Sequence, residues 1–233
     1  MSDSKPRWLT ILDVVTIVAF AGAVGMVFFY APLEASMGQV QKVFYFHVAS
    51  FWTGMLGFSC SMVAGIIYLR THNHKWDIVE LAGIEIGLVF CLVGVVTGSI
   101  WAYPAWNTWW TWDPRLTTVT IMELAYFAYL MLRAGIDDPD RRARFGAVYA
   151  IVAFLSVPLT FFSIRLFNTI HPVVIGSSDP SAAGTFAMTP KMLTVFMCAL
   201  LAYTLVFIDL FWHRIRLGRL ADKVEQKKLS LSE

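Results

Sequence analysis

Six long apolar stretches run along the chain, and short polar segments separate them. A bilayer core of roughly 30 Å needs about 20 apolar residues per helix, and each stretch is long enough to cross it. They leave no room for a separate soluble domain. The pattern therefore predicts an all-α integral membrane protein, one domain over residues 1–233 built as a bundle of six transmembrane helices. The predicted spans cover residues 9–30, 43–69, 77–101, 117–136, 145–167 and 191–212.

Composition and charge agree with this pattern and orient it. The chain is 58% hydrophobic and 15% charged, with a mean hydropathy of +0.63, which is too apolar for a soluble domain. With the N-terminus in the cytoplasm, fourteen lysines and arginines face the cytoplasm and four face the other side. This is the positive-inside distribution, so both termini are expected in the cytoplasm. It also accounts for the basic clusters without a nucleic-acid partner. The first stretch is expected to be a retained span, because it is longer than a signal-peptide core.

The three cysteines, Cys60, Cys91 and Cys198, each fall inside an apolar stretch. The chain has no C-x-x-C pair and no C-x-x-C-H motif, so it does not itself carry covalently attached haem of the c type. The cysteines are expected to be small buried apolar side chains.

A tryptophan-rich segment covers residues 101–117, between the third and fourth stretches. Five of the nine tryptophans lie between Trp101 and Trp112. Pro104 is expected to open a short helix that ends at Asp113, before Pro114. In that helix Trp106, Trp109, Trp110 and Asp113 share one face, which predicts a short amphipathic segment on the outer side. Such a plate of indoles suits a flat, apolar molecule with charge at its edge. The alternative is an aromatic belt at the membrane surface.

Two histidines are expected on the same side as this segment. His47 lies within about two turns of the outer end of the second span, and His171 lies in the outer loop 168–190. Two such histidines can give two axial nitrogens to a haem iron, and Arg115 or Arg165 can hold a haem carboxylate. A structural zinc site is less favoured, because it needs about four ligands. Each histidine by itself is also typical of an interfacial side chain.

Two acidic residues and one proline inside the spans carry further expectations. Glu85 lies well inside the third span, and an acid there is a functional candidate even though no partner for it is visible. Glu123 is expected to form a structural ion pair with Arg115 or Arg165. Pro158 should kink the fifth span.

The segment WAYPAWNTWWTWDPRLT resembles the tryptophan-rich WWD signature of the haem-handling membrane proteins of cytochrome c biogenesis. The letters FHVASFW around His47 and NTIH around His171 narrow the likeness to the heme exporter protein C (CcmC) family, over nearly the whole chain. Ala49, Ala102 and Asn107 depart from the family pattern but leave every proposed ligand in place. The resemblance implies that His47 and His171 are the axial ligands of a transient, non-covalent haem b. It implies an outward haem platform of Trp101, Trp106, Trp109, Trp110, Trp112, Asp113 and Arg115.

The resemblance also implies a role and a set of partners. Members hold haem at the periplasmic face of the bacterial inner membrane and pass it to the haem chaperone CcmE. The small subunit CcmD and the ABC transporter pair CcmA and CcmB accompany them. Partner docking is expected through the outer loop, residues 169–190, and no bond-making step is expected of this chain.

Two other functions stay open on the sequence. A haem lyase that attaches haem to apocytochrome c resembles longer chains with a further histidine pair inside the membrane, whereas His72, His74 and His213 are expected at the cytoplasmic side. A b-type electron-transfer subunit usually has ligands placed deeper across the bundle.

Overall fold

The computed structural model describes residues 5–33, 37–172 and 188–232, and within them the regular structure is helical. Helix α1 (Arg7–Gly25) continues into a π-helical turn (Met26–Tyr30), and a 3₁₀ turn (Gln39–Lys42) leads into α2. The remaining helices are α2 (Val43–Thr71), α3 (Lys75–Trp106), α4 (Pro114–Ala134), α5 (Pro139–Ala153), α6 (Ser156–Leu166) and α7 (Pro190–Ser232). The expected docking segment falls largely on residues 173–187, which lie outside the described ranges.

Local sequence chemistry sets several helix ends. Asp113 and Asp138 each precede a proline, and each accepts a backbone N–H of the helix that follows, from Arg115 and Arg141. An aspartate cap with proline in the first turn is a strong start signal, because both satisfy or remove unpaired N–H groups. Helix α3 stops at Asn107, whose φ of 55° is left-handed, a conformation that asparagine tolerates at a helix end.

Five helical segments are long and apolar enough to cross a membrane, and they correspond to five of the six predicted spans. The fourth predicted span, 117–136, coincides with α4, a helix of 21 residues that is not among these five. Helix α4 carries Arg115, Glu123 and Arg133 together with three threonines, which lowers its apolar character. The fifth span is interrupted between α5 and α6, less than one turn before Pro158, as the predicted kink requires.

The predicted helix within the tryptophan segment is wrong. Pro104 does not open a new helix, because α3 runs through it to Trp106. Residues 107–113 are not helical, so Trp109, Trp110 and Asp113 do not share a helix face with Trp106. Pro104 has no backbone N–H, so α3 passes through it with the loss of one helical hydrogen bond.

Helices α2 and α3 form the most extensive contact and lie at the centre of the bundle. Helices α7 and α1 pack on one side of them and α4, α5 and α6 on the other. One core cluster includes Phe58 of α2 stacked on Tyr126 of α4, with ring centroids 3.6 Å apart. Cys91 is fully buried, whereas Cys60 and Cys198 are half-buried. At one end of the bundle α2, α3 and α4, together with His171 from the segment after α6, surround a cavity.

Candidate functional site

A cavity with about 510 Å³ of atom-free space, its open mouth included, lies where α2 and α4 begin and α3 and α6 end. The cavity brings together most of the residues that the sequence singled out, on the same end of the bundle. Its lining includes His47, His171, Trp101, Trp106, Trp109, Trp110 and Arg115.

His47 lies in the second turn of α2, with its ring against α3. Its Nδ1 is 2.8 Å from the carbonyl oxygen of Gly94. A carbonyl oxygen can only accept, so Nδ1 carries the proton and donates it to Gly94. The other ring nitrogen, Nε2, therefore keeps a free lone pair. A histidine fixed in this way by a backbone carbonyl is the usual arrangement of a metal ligand.

Two glycines of α3 make the space that His47 and Phe51 occupy. A Cβ atom at Gly98 would lie 2.6 Å from His47 Cε1, and one at Gly94 would lie 2.7 Å from a carbon of the Phe51 ring. Both distances are too short for any larger residue without movement. A second pair, Gly83 and Gly87, lets the α2 backbone approach in the same way. The two G-x-x-x-G spacings on α3 are typical of close helix contacts in membranes, and they are a sequence signal for this packing, although the predicted site residues include none of these glycines.

His171 reaches the cavity from a segment without regular structure after α6. Its Nδ1 is 3.1 Å from the carbonyl oxygen of Pro172, so by the same reasoning Nδ1–H donates and Nε2 is free. Its ring also meets the edge of Trp106, with centroids 6.3 Å apart. Desolvation in this surround, with a smaller effect of the Arg115 charge, lowers the pKa of His171 to about 3. The imidazole is therefore neutral at pH 7, which is the form that binds metals.

The two imidazole rings face one cavity, with centroids 6.3 Å apart and planes 35° apart. Because both rings line the same cavity, a metal ion bound there would be held by a nitrogen of each histidine. The donor set is also suitable, because two neutral imidazoles are a known axial pair for haem iron.

Four tryptophan side chains form a further part of the wall. Trp101 donates its Nε1–H to Gln41 at 3.2 Å and meets Trp106 edge to face, with centroids 5.6 Å apart. Trp109 stacks on Tyr103 at 4.5 Å. Trp112 is 73% exposed and packs against Trp110 without lining the cavity. Four of the five tryptophans thus line an aromatic site for a flat apolar molecule.

The charged residues of the segment divide between the cavity and its frame. Arg115 lines the cavity, and its guanidinium also donates to the backbone carbonyl of Thr160 in α6. It supplies a positive charge beside the aromatic wall, as a carboxylate-bearing ligand requires. Asp113 is not a lining residue, and its carboxylate oxygens accept hydrogen bonds from the protein instead. Arg165 lies in the last turn of α6 and does not line the cavity.

The two acids that the sequence singled out lie away from this wall. Glu85 has a partner that the sequence did not reveal, because Arg214 of α7 donates to it. By strict geometry neither carboxylate oxygen of Glu123 accepts a hydrogen bond within the described residues, and the Cys91 thiol is its polar neighbour. No hydrogen bond therefore supports the predicted ion pair of Glu123 with Arg115 or Arg165.

A polar network at the opposite end of the bundle was not predicted. Arg133 of α4 makes two hydrogen bonds to Asp77 of α3, at 2.5 and 2.9 Å. Tyr129 donates to the fully buried Glu80 at 2.8 Å, and Gly146 of α5 leaves room for this group. The network ties α3 to α4 far from the cavity, and α5 packs against it through Gly146. Its charged residues lie near the ends of predicted spans, where such residues are common, so no sequence pattern indicates that they form one network.

Long apolar helices around a two-histidine, tryptophan-lined cavity define a multi-pass helical membrane protein with a site suited to haem. The family model for heme exporter protein C matches residues 2–230. Heme exporter protein C of Bradyrhizobium diazoefficiens is 31% identical over 77% of this chain and 67% of its own length. The Escherichia coli K12 protein of that name is 31% identical over 86% of this chain and 80% of its own length. A cytochrome c biosynthesis CcmC-like mitochondrial protein of Marchantia polymorpha is 26% identical, over 76% of this chain and 73% of its own length.

The chain belongs to the heme exporter protein C family. It is a membrane protein that handles haem in cytochrome c maturation.

Proposed function

We propose that the chain binds haem b at the periplasmic face of the bacterial inner membrane, with His47 and His171 as the two axial ligands. Trp101, Trp106, Trp109 and Trp110 contact the flat ring in this proposal, and Arg115 pairs with a haem carboxylate. The haem is held without a covalent bond, because it is cargo that must leave again.

The geometry of the two histidines carries this proposal. Their ring centroids lie 6.3 Å apart in one cavity, and each Nδ1 faces a backbone carbonyl oxygen. Each ring therefore offers its Nε2 lone pair, which is what an iron ion between them needs. Membership in a haem-handling family supplies the identity of the ligand.

Absorption spectra of the detergent-purified protein, oxidised and reduced, test the ligand assignment. Wild type is expected to show six-coordinate, low-spin haem, and the His47→Ala/His171→Ala double variant is expected to lose it. The matched control is His72→Ala/His74→Ala, which removes two exposed histidines at the opposite end of the bundle and should leave the spectrum unchanged. Full haem content with an unchanged spectrum in the His47/His171 variant would contradict the ligand assignment.

The haem is then delivered to the chaperone CcmE, with CcmD and the transporter pair CcmA and CcmB in the same complex. In this proposal the chain makes no bond itself, so it is not an enzyme. Both histidines lie at one end of the bundle, which suits presentation of haem better than electron transfer across it. Mixing haem-loaded protein with haem-free CcmE tests delivery. Haem should move to the CcmE fraction on chromatography, and retention on this chain would contradict delivery.

The proposed orientation uses six spans, with α4 as the fourth and both termini in the cytoplasm. Helix α4 is about 30 Å long at 1.5 Å per residue, enough for the bilayer core. Its ends support this assignment, because Arg115 lies at the cavity end and Arg133 at the opposite end. In intact spheroplasts a membrane-impermeant maleimide should label Trp112→Cys and should not label Lys228→Cys until lysis. The reverse labelling would invert the orientation.

A further inference from the structure

Asp113 has a set of contacts that a haem-binding role does not explain. Its Oδ1 accepts the backbone N–H of Arg115 at 2.9 Å and the hydroxyl of Thr169 at 2.6 Å. Its Oδ2 accepts the backbone N–H of Ile170 at 3.0 Å. Two of these three bonds join the start of α4 to a segment more than fifty residues further along the chain. Both oxygens are engaged by the protein.

The contacts of Asp113 lead directly to His171. The Thr169 hydroxyl donates to Asp113 and also accepts the backbone N–H of His171, at 3.1 Å. Ile170 is thus bonded to Asp113 directly, and His171 is linked to Asp113 through Thr169. We use the term clasp for these bonds among Asp113, Thr169, Ile170 and His171.

The segment that carries His171 needs such support. Helix α6 ends at Leu166, and the described residues beyond it, 167–172, form no regular structure. No helical hydrogen-bond ladder therefore fixes the position of the His171 backbone. Hydrogen bonds to a charged carboxylate are among the stronger ones available to a protein, so the clasp is suited to hold this turn in place.

We propose that Asp113 is a positioning residue that places His171 for iron ligation, and that it does not contact the haem. This inference rests on the proposed function, because it takes His171 as an axial ligand. It gives the last letter of the W-T-W-D run a purpose different from that of the tryptophans before it. The tryptophans line the cavity, whereas the aspartate joins the start of α4 to the turn that bears the second histidine.

Two substitutions separate the clasp from the other work of Asp113. Asp113→Asn keeps a side-chain oxygen that caps α4 well, but loses the second acceptor that the clasp needs. Thr169→Val removes the hydroxyl that links Asp113 to His171, and Thr169→Ser puts a hydroxyl back. Thr108→Val is the matched control, because the Thr108 hydroxyl bonds within its own segment, to the carbonyl oxygen of Trp110.

The first measurement is hydrogen–deuterium exchange on haem-free protein, read on peptides that cover residues 167–172. Asp113→Asn and Thr169→Val should exchange at least about tenfold faster there, since hydrogen bonds to a charged group are lost. Thr169→Ser and Thr108→Val should match wild type. This arm needs no haem, so it decides whether the clasp holds the turn even if the proposed function is wrong.

The second measurement is the spin state of haem bound to the same variants. Asp113→Asn and Thr169→Val should keep His47 ligation but shift haem from low-spin towards five-coordinate high-spin, and added imidazole should restore the low-spin form. Thr169→Ser should match wild type. Fast exchange with unchanged low-spin haem would overturn the inference, because the clasp would then hold the turn without positioning the ligand. Unchanged exchange in both variants would overturn it as well.

Discussion

His47 and His171 face each other across one cavity, yet the molecule holds them in opposite ways. His47 belongs to α2, and its ring fits against α3 where Gly98 leaves space and the Gly94 carbonyl oxygen accepts a hydrogen bond from the ring N–H. His171 belongs to a non-helical segment and is held through the hydrogen bonds of the clasp. One ligand is fixed by helix packing and the other by a few polar contacts.

This difference matters for a site that must bind its cargo and also give it up. A side chain packed between two central helices moves only if the bundle moves, because packed interiors resist local change. A turn held by a few side-chain hydrogen bonds opens locally at much lower cost, since such segments belong to the less stable parts of a fold. The asymmetry predicts that haem keeps its bond to His47 longer than its bond to His171.

The largest effect is expected from Gly98→Val, which disturbs the packing of His47 against α3. Even a Cβ atom at this position would lie 2.6 Å from His47 Cε1, so valine displaces the ring. Overpacking costs about 1–3 kcal/mol, which corresponds to a roughly fivefold to hundredfold loss of haem affinity. The haem-to-protein ratio after purification measures it.

Gly22→Val in α1 is the matched control for this substitution, because a Cβ there has no neighbour within 4 Å. It should retain haem at the wild-type ratio. If both glycine variants retain haem equally, then the close packing of the His47 ring against Gly98 of α3 does not hold that histidine in place.

The sequence predicted the parts of this arrangement that depend on local pattern. Hydrophobic length predicted the long helices, and the positions of His47 and His171 near span ends predicted that they would meet at one end. The Asp-Pro pair at residues 113–114 was expected to end a helix, whereas in the structure it begins α4. The long helices follow from neighbouring residues, and the structure confirms five of them as long and apolar enough to cross a membrane. The two histidines line one cavity.

The parts that failed depend on contacts between distant residues or on the wrong stop signal. The interpretation of the tryptophan segment used Pro104 and Pro114, whereas Asn107 is the residue that ends α3. The sequence shows no partner for Glu85, because Arg214 lies beyond the last predicted span. In the structure α7 continues as a helix past Arg214. The partners of Asp113 are 56 and 57 residues away, and no local pattern joins them.

A smaller effect is expected from Trp106→Leu, which removes the ring that rests against His171. Trp106 lines the cavity, and aromatic contacts of this kind contribute about 0.5–1.5 kcal/mol beyond the area they bury. Haem affinity should fall by roughly twofold to tenfold in a titration of haem-free protein. Trp112→Leu changes an exposed tryptophan outside the cavity and should leave affinity unchanged. A larger loss for Trp112 than for Trp106 would contradict the described wall.

The smallest expected effect is a difference in how the two histidine sites accept a replacement ligand. His171→Ala and His47→Ala each remove one ring, and free imidazole in solution can take its place on the iron. The His171 segment carries exposed neighbours, with Phe167 and Ile170 51% and 49% exposed, so added imidazole reaches its position readily. The His47 position is enclosed by Phe51 and the α3 glycines. Half-restoration of the low-spin spectrum should need a lower imidazole concentration in His171→Ala than in His47→Ala.

The imidazole titration tests the difference between the two histidine positions directly, because both variants carry the same substitution and differ only in what surrounds the missing ring. Wild type titrated in parallel shows whether imidazole displaces either native ligand. Displacement at His171 before His47 would agree with a turn that opens locally, because a ligand must leave the iron before imidazole can bind. Equal concentrations in the two variants would show that the two positions are equally accessible, and the packed and clasped histidines would then hold haem on the same terms.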